Sequence, residues 1–172
     1  MSEQQRWVER VFRLDFPVER YAELIERLAR TPARLKALTD SLADRELVTR
    51  HEGKWSIQEN VGHLLDLEVL FMGRLDDYEI GLEELRPADM SNRATDAAGH
   101  NDRDIGELLA EFEQTRARLV KRLAKLSPDA FSRSAFHRRL DVQMRLVDMC
   151  YFQAEHDDHH IAKIERLCKL QA

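Results

Sequence analysis

Cysteine is scarce in this chain, with two residues in 172, and the two cannot be bonded to each other. Cys150 and Cys168 fall in one stretch of helical periodicity, which at 1.5 Å per residue separates them by roughly 27 Å. A disulfide needs Cα atoms within about 7 Å. Both thiols are expected to be free and packed as small apolar groups in a reduced, cytoplasmic protein. Glycine and proline are also few, 6 and 4, and unclustered, so no low-complexity tract stands out, and no internal repeat does either. No apolar run approaches the roughly 20 residues that cross a bilayer, and the first six residues lead into no signal-peptide core. Nor does Lys and Arg dominate any stretch: 27 basic side chains are interleaved with 32 acidic ones for a net charge of -5. Nucleic-acid binding needs positive charge clustered toward the phosphates, and is not expected here. A Gly-rich phosphate loop, a Ser-centred nucleophile elbow and a CxxC pair are all missing.

What the chain does have is helical periodicity and enough apolar side chain, 43%, to fill one core. A first helix is expected from Pro17, a residue tolerated in a first turn because its missing N–H is unsatisfied there anyway. It carries Tyr21, Leu24, Ile25 and Leu28, with a kink or break at Thr31-Pro32 before Leu35, Leu38 and Leu42 resume. Ser56-Ile57-Gln58-Glu59 is a capping box that opens a second helix, through Val61, Leu64, Leu67, Phe71 and Leu75 to about Gly81. From Leu82 to about Asn101 no period is sustained, which reads as a long surface loop of the kind that is often functional. A third helix runs from about Arg103 to Leu126, closed by Ser127-Pro128, and a fourth begins near Asp141 and reaches Leu167. The expected fold is an all-α four-helix bundle over residues 17–170, with a long connection between helices 2 and 3. Residues 1–16 are expected to form an arm packed on it through Trp7, Val8, Val11, Phe12 and Phe16.

Chemistry concentrates on the fourth helix. At about 100° per residue, Leu146, Met149, Cys150, Gln153, Asp157, His160, Ile164, Leu167 and Cys168 share one stripe, with His156 at its border. Polar groups on a buried stripe cost on the order of 1–3 kcal/mol each when unpaired. His156 and His160 lie four residues apart, so both imidazoles can reach one ion. Gln153, one turn before His156, can orient a water or a substrate. Asp157 can steady a histidine N–H or compete as a ligand. A third ligand must come from a facing helix. His63 is the candidate, although its place on the flank of its stripe fits a core or half-exposed histidine equally well. His51, His100 and His137 fall near connections, where exposure is ordinary; His137 is the best placed, because Phe136-His137-Arg138-Arg139 precedes the fourth helix and can border its open end. Trp55 reads as a packing anchor. Arg74 and Arg145 lie roughly 16 Å along their helices from the nearest candidate ligand and suit solvated faces.

The stretch Gly53-Lys54-Trp55-Ser56-Ile57-Gln58-Glu59-Asn60-Val61-Gly62-His63-Leu64-Leu65-Asp66-Leu67-Glu68 resembles the block that opens the second helix in the DinB-like (DinB/YfiT) superfamily. Ala154-Glu155-His156-Asp157-Asp158-His159-His160 resembles that family's closing HxxxH, and the likeness runs from about Pro17 to Leu167. It implies a four-helix bundle, often dimeric, with a divalent metal ion on His63, His156 and His160. Relatives include transferases that use low-molecular-weight thiols such as bacillithiol or mycothiol, and a maleylpyruvate isomerase. The expectation is therefore a cytoplasmic, homodimeric, metal-dependent enzyme of thiol-transferase or hydrolase type, acting on a small molecule. Its ion would be Zn, Ni or Fe, activating water or a low-molecular-weight thiol. The rival reading is a non-catalytic metal or small-molecule binding protein of a stress response, its ion closed by a fourth protein ligand. A third is an interaction module with a vestigial site.

Overall fold

A computed structural model describes residues 5–171. The helices are α1 (Tyr21–Thr39), the short α2 (Asp44–Val48), α3 (Ile57–Glu79), the short α4 (Arg93–Ala97), α5 (Ile105–Leu123) and α6 (Leu146–Gln171). The four long ones form the bundle, in which α1 and α3 each pack against both α5 and α6. As the sequence predicts, Ser56 caps α3: its hydroxyl accepts from Glu59 N at 3.1 Å while Glu59 accepts from Ser56 N at 2.9 Å. Asp104 caps α5 with a single bond, its Oδ1 accepting from Glu107 N at 2.9 Å. No helix among the described residues is long and apolar enough to cross a membrane.

The core is split in two by a polar layer. One apolar cluster gathers Leu24 and Leu28, Phe71 and Leu75, Leu119 and Leu123, and Met149 and Cys150. The other gathers Leu35, Val61 and Leu64, Leu108 and Phe112, and Ile161 and Ile164. Between them each long helix contributes a buried polar side chain where its hydrophobic repeat would place an apolar one: Thr31, Glu68, Arg116 and Asp157. Arg116 donates through Nη2 to Glu68 Oε1 at 2.7 Å and through Nη1 to Asp157 Oδ2 at 2.5 Å. Thr31 Oγ1 donates to the same Asp157 oxygen at 2.7 Å. Burial pushes the Glu68 carboxyl up against the opposing pull of Arg116. Desolvation works against the Arg116 charge too, but Asp157 and Glu68 more than offset it and hold the guanidinium protonated.

This layer accounts for the first departure from the sequence reading. The break expected at Thr31-Pro32 does not occur, and α1 continues through Pro32. Proline lacks the N–H that would serve the carbonyl four residues earlier. That carbonyl is Leu28 O, and Arg116 Nη1 donates to it at 3.0 Å, so a tertiary contact replaces the missing helical bond.

The other departures are in the connections. The fourth helix does not begin near Asp141: residues up to Arg145 form an antiparallel hairpin of β1 (Ser134–His137) and β2 (Val142–Arg145), which pairs His137 with Val142. Asp141, with φ of 54°, makes the turn. The connection after α3 holds α4 and a 3-10 turn at His100–Asp102. In the arm, Trp7, Phe12 and Phe16 are packed on the first cluster, whereas Val8 and Val11 are exposed rather than packed. Cys150 is buried, Cys168 only half-buried, and both are free.

Replacing Arg116 by Met would leave two buried carboxylates facing each other and Leu28 O unserved. Such a loss costs about 3–5 kcal/mol, readable as a lowered urea midpoint. In a Pro32→Ala background α1 regains its own bond to Leu28 O. The same Arg116→Met change should then cost about 1 kcal/mol less, and a double-mutant cycle without coupling would refute the link.

Candidate metal centre

His63 enters from the second turn of α3, and His156 and His160 from successive turns of α6. Each offers a ligating nitrogen, and these atoms all lie within 4.8 Å of one another. The ring centroids are 5.3 Å apart for His63 and His156, 4.7 Å for His63 and His160, and 4.6 Å for His156 and His160. All three side chains are buried. Trp55 lies against His63 with ring centroids 4.8 Å apart, and Trp7 meets His156 edge-on at 5.0 Å.

Neighbours fix which nitrogen of two of these rings carries its proton. Asn60 Nδ2 donates to Ser56 O at 2.7 Å, which turns Asn60 Oδ1 toward His160 Nδ1 at 2.8 Å. An amide oxygen only accepts, so His160 Nδ1 bears the hydrogen and Nε2 keeps its lone pair. Thr95 Oγ1 donates to Asp66 Oδ2 at 2.7 Å and therefore accepts from His63 Nδ1 at 3.0 Å, which frees His63 Nε2 likewise. His156 leaves Nδ1 buried and unpartnered. Burial pulls His63 down to about 4, and burial together with neighbouring positive charge holds His156 and His160 well below the ordinary imidazole value. Three neutral imidazoles on two helices, two of them with Nε2 lone pairs set free by their partners, are a donor set suited to a transition-metal dication.

Several contributors escaped the sequence reading. Asp66 also accepts from His100 Nε2 at 2.9 Å, so His100 belongs to the chain of bonds behind His63 and is buried rather than exposed. Its ring lies across Gly62, where an added Cβ would overlap it; the absence of a side chain beside His63 was the available signal. Thr95 comes from α4 and Asn60 from the turn of α3 before His63. Lys163, three residues past His160, is among the positive charges that depress all three triad histidines. His137 is buried as well, and His51 only partly exposed.

The other two predicted site residues, Asp157 and Gln153, point into the polar layer. Asp157 meets Arg116 and Thr31 and is not among the converging donors. Gln153 Nε2 donates to Glu68 Oε1 at 3.1 Å, and its Oε1 is buried without a partner. Arg74 is buried rather than solvated, donating from Nε to Arg86 O at 3.2 Å. Arg145 lies in β2, not on a helix, and binds Asp148, Leu14 O and Phe16 O.

Two outcomes follow from this geometry. Asn60→Ala and Thr95→Ala should each weaken metal binding about 10–100-fold, measured by competition with a chromophoric chelator. In the metal-free protein, imidazoles held near 4 in the fold take up protons near their ordinary value once unfolded. Their stabilising effect is thus complete above about 6.5 and lost as pH falls toward about 4. Urea midpoints should drop across that window, and by less in His63→Gln.

The fold has counterparts among known proteins. A "Putative metal-dependent hydrolase" of Bacillus pumilus (strain SAFR-032) is 25% identical over 150 residues, which are 84% of this chain and 83% of the relative. The solved structure of YfiT from Bacillus subtilis, described as "a probable metal-dependent hydrolase with an unusual four-helix bundle topology", superposes with a TM-score of 0.77 at 24% identity. It covers 95% of this chain and 94% of its own. The mycothiol-dependent maleylpyruvate isomerase matches with a TM-score of 0.67 at 15% identity, over 87% of this chain and 61% of that one. The family model of the DinB superfamily matches residues 27–164, most of the bundle including all three histidines, and the chain belongs to that superfamily.

Proposed function

We propose that this protein is a metal-dependent enzyme that activates a water or a low-molecular-weight thiol for attack on a small electrophile, as a hydrolase or a thiol transferase. The observation that carries the reading is the buried, neutral triad of His63, His156 and His160. His63, His156 and His160 would hold a divalent ion such as Zn, Ni or Fe, which when bound would supply the means to lower the pKa of a water or thiol and to polarise a carbonyl.

The chain's own residues supply the rest. Asn60 and Thr95 hold two rings in the tautomer that presents Nε2. Trp55 and Trp7 wall the rings and limit the water that reaches them. Lys163 adds a positive charge that favours negative charge developing on a substrate. For Asp157 and Gln153 we assign positioning: through Arg116 and Glu68 they fix the rotation of α6 and hence the aim of His156 and His160. A closed, purely binding site would need a fourth ligand. Asp157, the candidate for that place, has its oxygens engaged by Arg116 and Thr31. The names of the Bacillus pumilus relative and of YfiT support the hydrolase arm, and that of the isomerase the thiol arm. The reading includes a cytoplasmic location and a homodimer, the latter tested by sedimentation of the purified protein.

Metal analysis of the purified protein should give close to one divalent ion per chain, and His160→Ala should lose it. Hydrolase and thiol-transfer panels run on both proteins should show activity in the wild type alone. Equal metal content in the two would end this reading.

A further inference from the structure

A second cluster of donors lies at the other end of the α3–α6 seam. His137 is held on β1, where Leu140 N donates to its Nδ1 at 3.3 Å. Nδ1 is therefore the accepting nitrogen and Nε2 carries the hydrogen, yet Nε2 is buried without a partner. Arg74 is buried, and its hydrogen bond among the described residues is from Nε to Arg86 O, so its two Nη groups have no acceptor among them. Asp77, three residues on along α3, gives both oxygens to Arg86. Arg86 reaches it by crossing Gly73, where a Cβ would strike the guanidinium. Arg139 is half-buried over the Phe152 ring at 5.7 Å, and Phe152 also meets His137 with ring centroids 5.6 Å apart. Neither Arg74 nor Arg139 forms an ion pair with a carboxylate among the described residues, in a chain where most arginines do.

We propose that Arg74, Arg139 and the Nε2–H of His137 form an oxyanion subsite that holds the carboxylate or phosphate of the substrate. The cluster presents donors and positive charge with no carboxylate partner among the described residues, which is the complement of an oxyanion. A guanidinium largely withdrawn from water without a carboxylate partner is costly, and a bound oxyanion offsets part of that cost. The cluster's self-repulsion is visible in its acidities: burial, aided by Arg74 and Arg139, lowers His137 to about 4, and burial with Arg139 lowers Arg74 to about 10. Phe152 joins the subsite to the metal centre, since it packs on Trp7 at 5.0 Å and Trp7 on His156 at 5.0 Å. Arg74 lies roughly 16 Å along α3 from His63, so the subsite takes the remote end of an extended substrate rather than its reacting group.

That the ligand is the substrate rests on the enzymatic reading above; that the subsite binds an oxyanion does not. The test is thermal melting and calorimetric titration of the full chain with succinate, with inorganic phosphate, and with succinamide as the uncharged analogue. Wild type, Arg139→Gln, His137→Phe, Arg74→Met and the triad variant His63→Ala are compared. Succinate or phosphate should raise the melting temperature saturably where succinamide does not, and the stronger of the two identifies the oxyanion. Binding should weaken about tenfold or more in Arg139→Gln and His137→Phe. It should vanish in Arg74→Met, whose melting temperature without anion stays level or rises because an unpaired buried charge is gone. Retention of the shift in His63→Ala would separate this subsite from the metal centre, so an absence of enzymatic activity would leave it standing. The proposal fails if neither oxyanion binds at tens of millimolar, or if the shift is equal in all variants. It fails too if Arg74→Met melts lower without anion while Arg139→Gln binds normally, which is the behaviour of a purely structural cluster.

Discussion

Arg116 is the contact on which the arrangement of the bundle turns. Its guanidinium, buried at mid-height, donates to Glu68 on α3, to Asp157 on α6 and to the Leu28 carbonyl on α1, so one side chain of α5 touches all three other long helices. Hydrophobic burial stabilises many rotations and translations of four amphipathic helices, because apolar contact is non-directional. A charged network with planar donors is directional, and a helix displaced by one residue would leave a buried charge without its partner. The apolar clusters on either side bring the helices together, while the polar layer selects the register at which they meet.

That register has consequences for the metal centre. Asp157 adjoins His156 in sequence, so anchoring its carboxylate to Arg116 fixes how α6 is rotated and which way both of its triad histidines face. Glu68 lies little more than a turn beyond His63 on α3 and does the same for the facing helix. The long connection after α3 then folds back with Thr95 and His100 to complete the bonds behind His63. Burial keeps the rings neutral, and the hydrogen bonds choose which nitrogen remains open. Charge state and tautomer, the two properties a ligating imidazole needs, thus come from different parts of the structure. The hairpin before α6 brings His137 and Arg139 to Phe152, one turn ahead of the triad, and gives the same seam a positively charged end.

Some of this was legible along the chain. The capping box at Ser56 and the hydrophobic periods of α3 and α5 require only neighbours a few residues away, and they marked those helices to within a few residues. The four-residue spacing of His156 and His160 put both on one face for the same reason. The polar interruptions at Glu68 and Arg116 were present in the repeats, but a period does not say what a buried charge is paired with. The hairpin was hidden because strands of four residues, broken by a charged turn, carry too little alternation to outweigh the helical pattern that follows.

Helical periodicity and capping marked the bodies of the long helices and set two histidines of the last one on a shared side, because helical geometry depends on residues within a turn or two of each other. Long-range packing settled that α1 passes through Pro32, that His100 is buried beside Gly62, that Asp157 serves Arg116 rather than the triad, and that Arg74 is enclosed without a carboxylate. Each of these depends on a partner dozens of residues away. Hydrogen bonds and ion pairs form only at contact distance, and packing fixes which distant groups come within it.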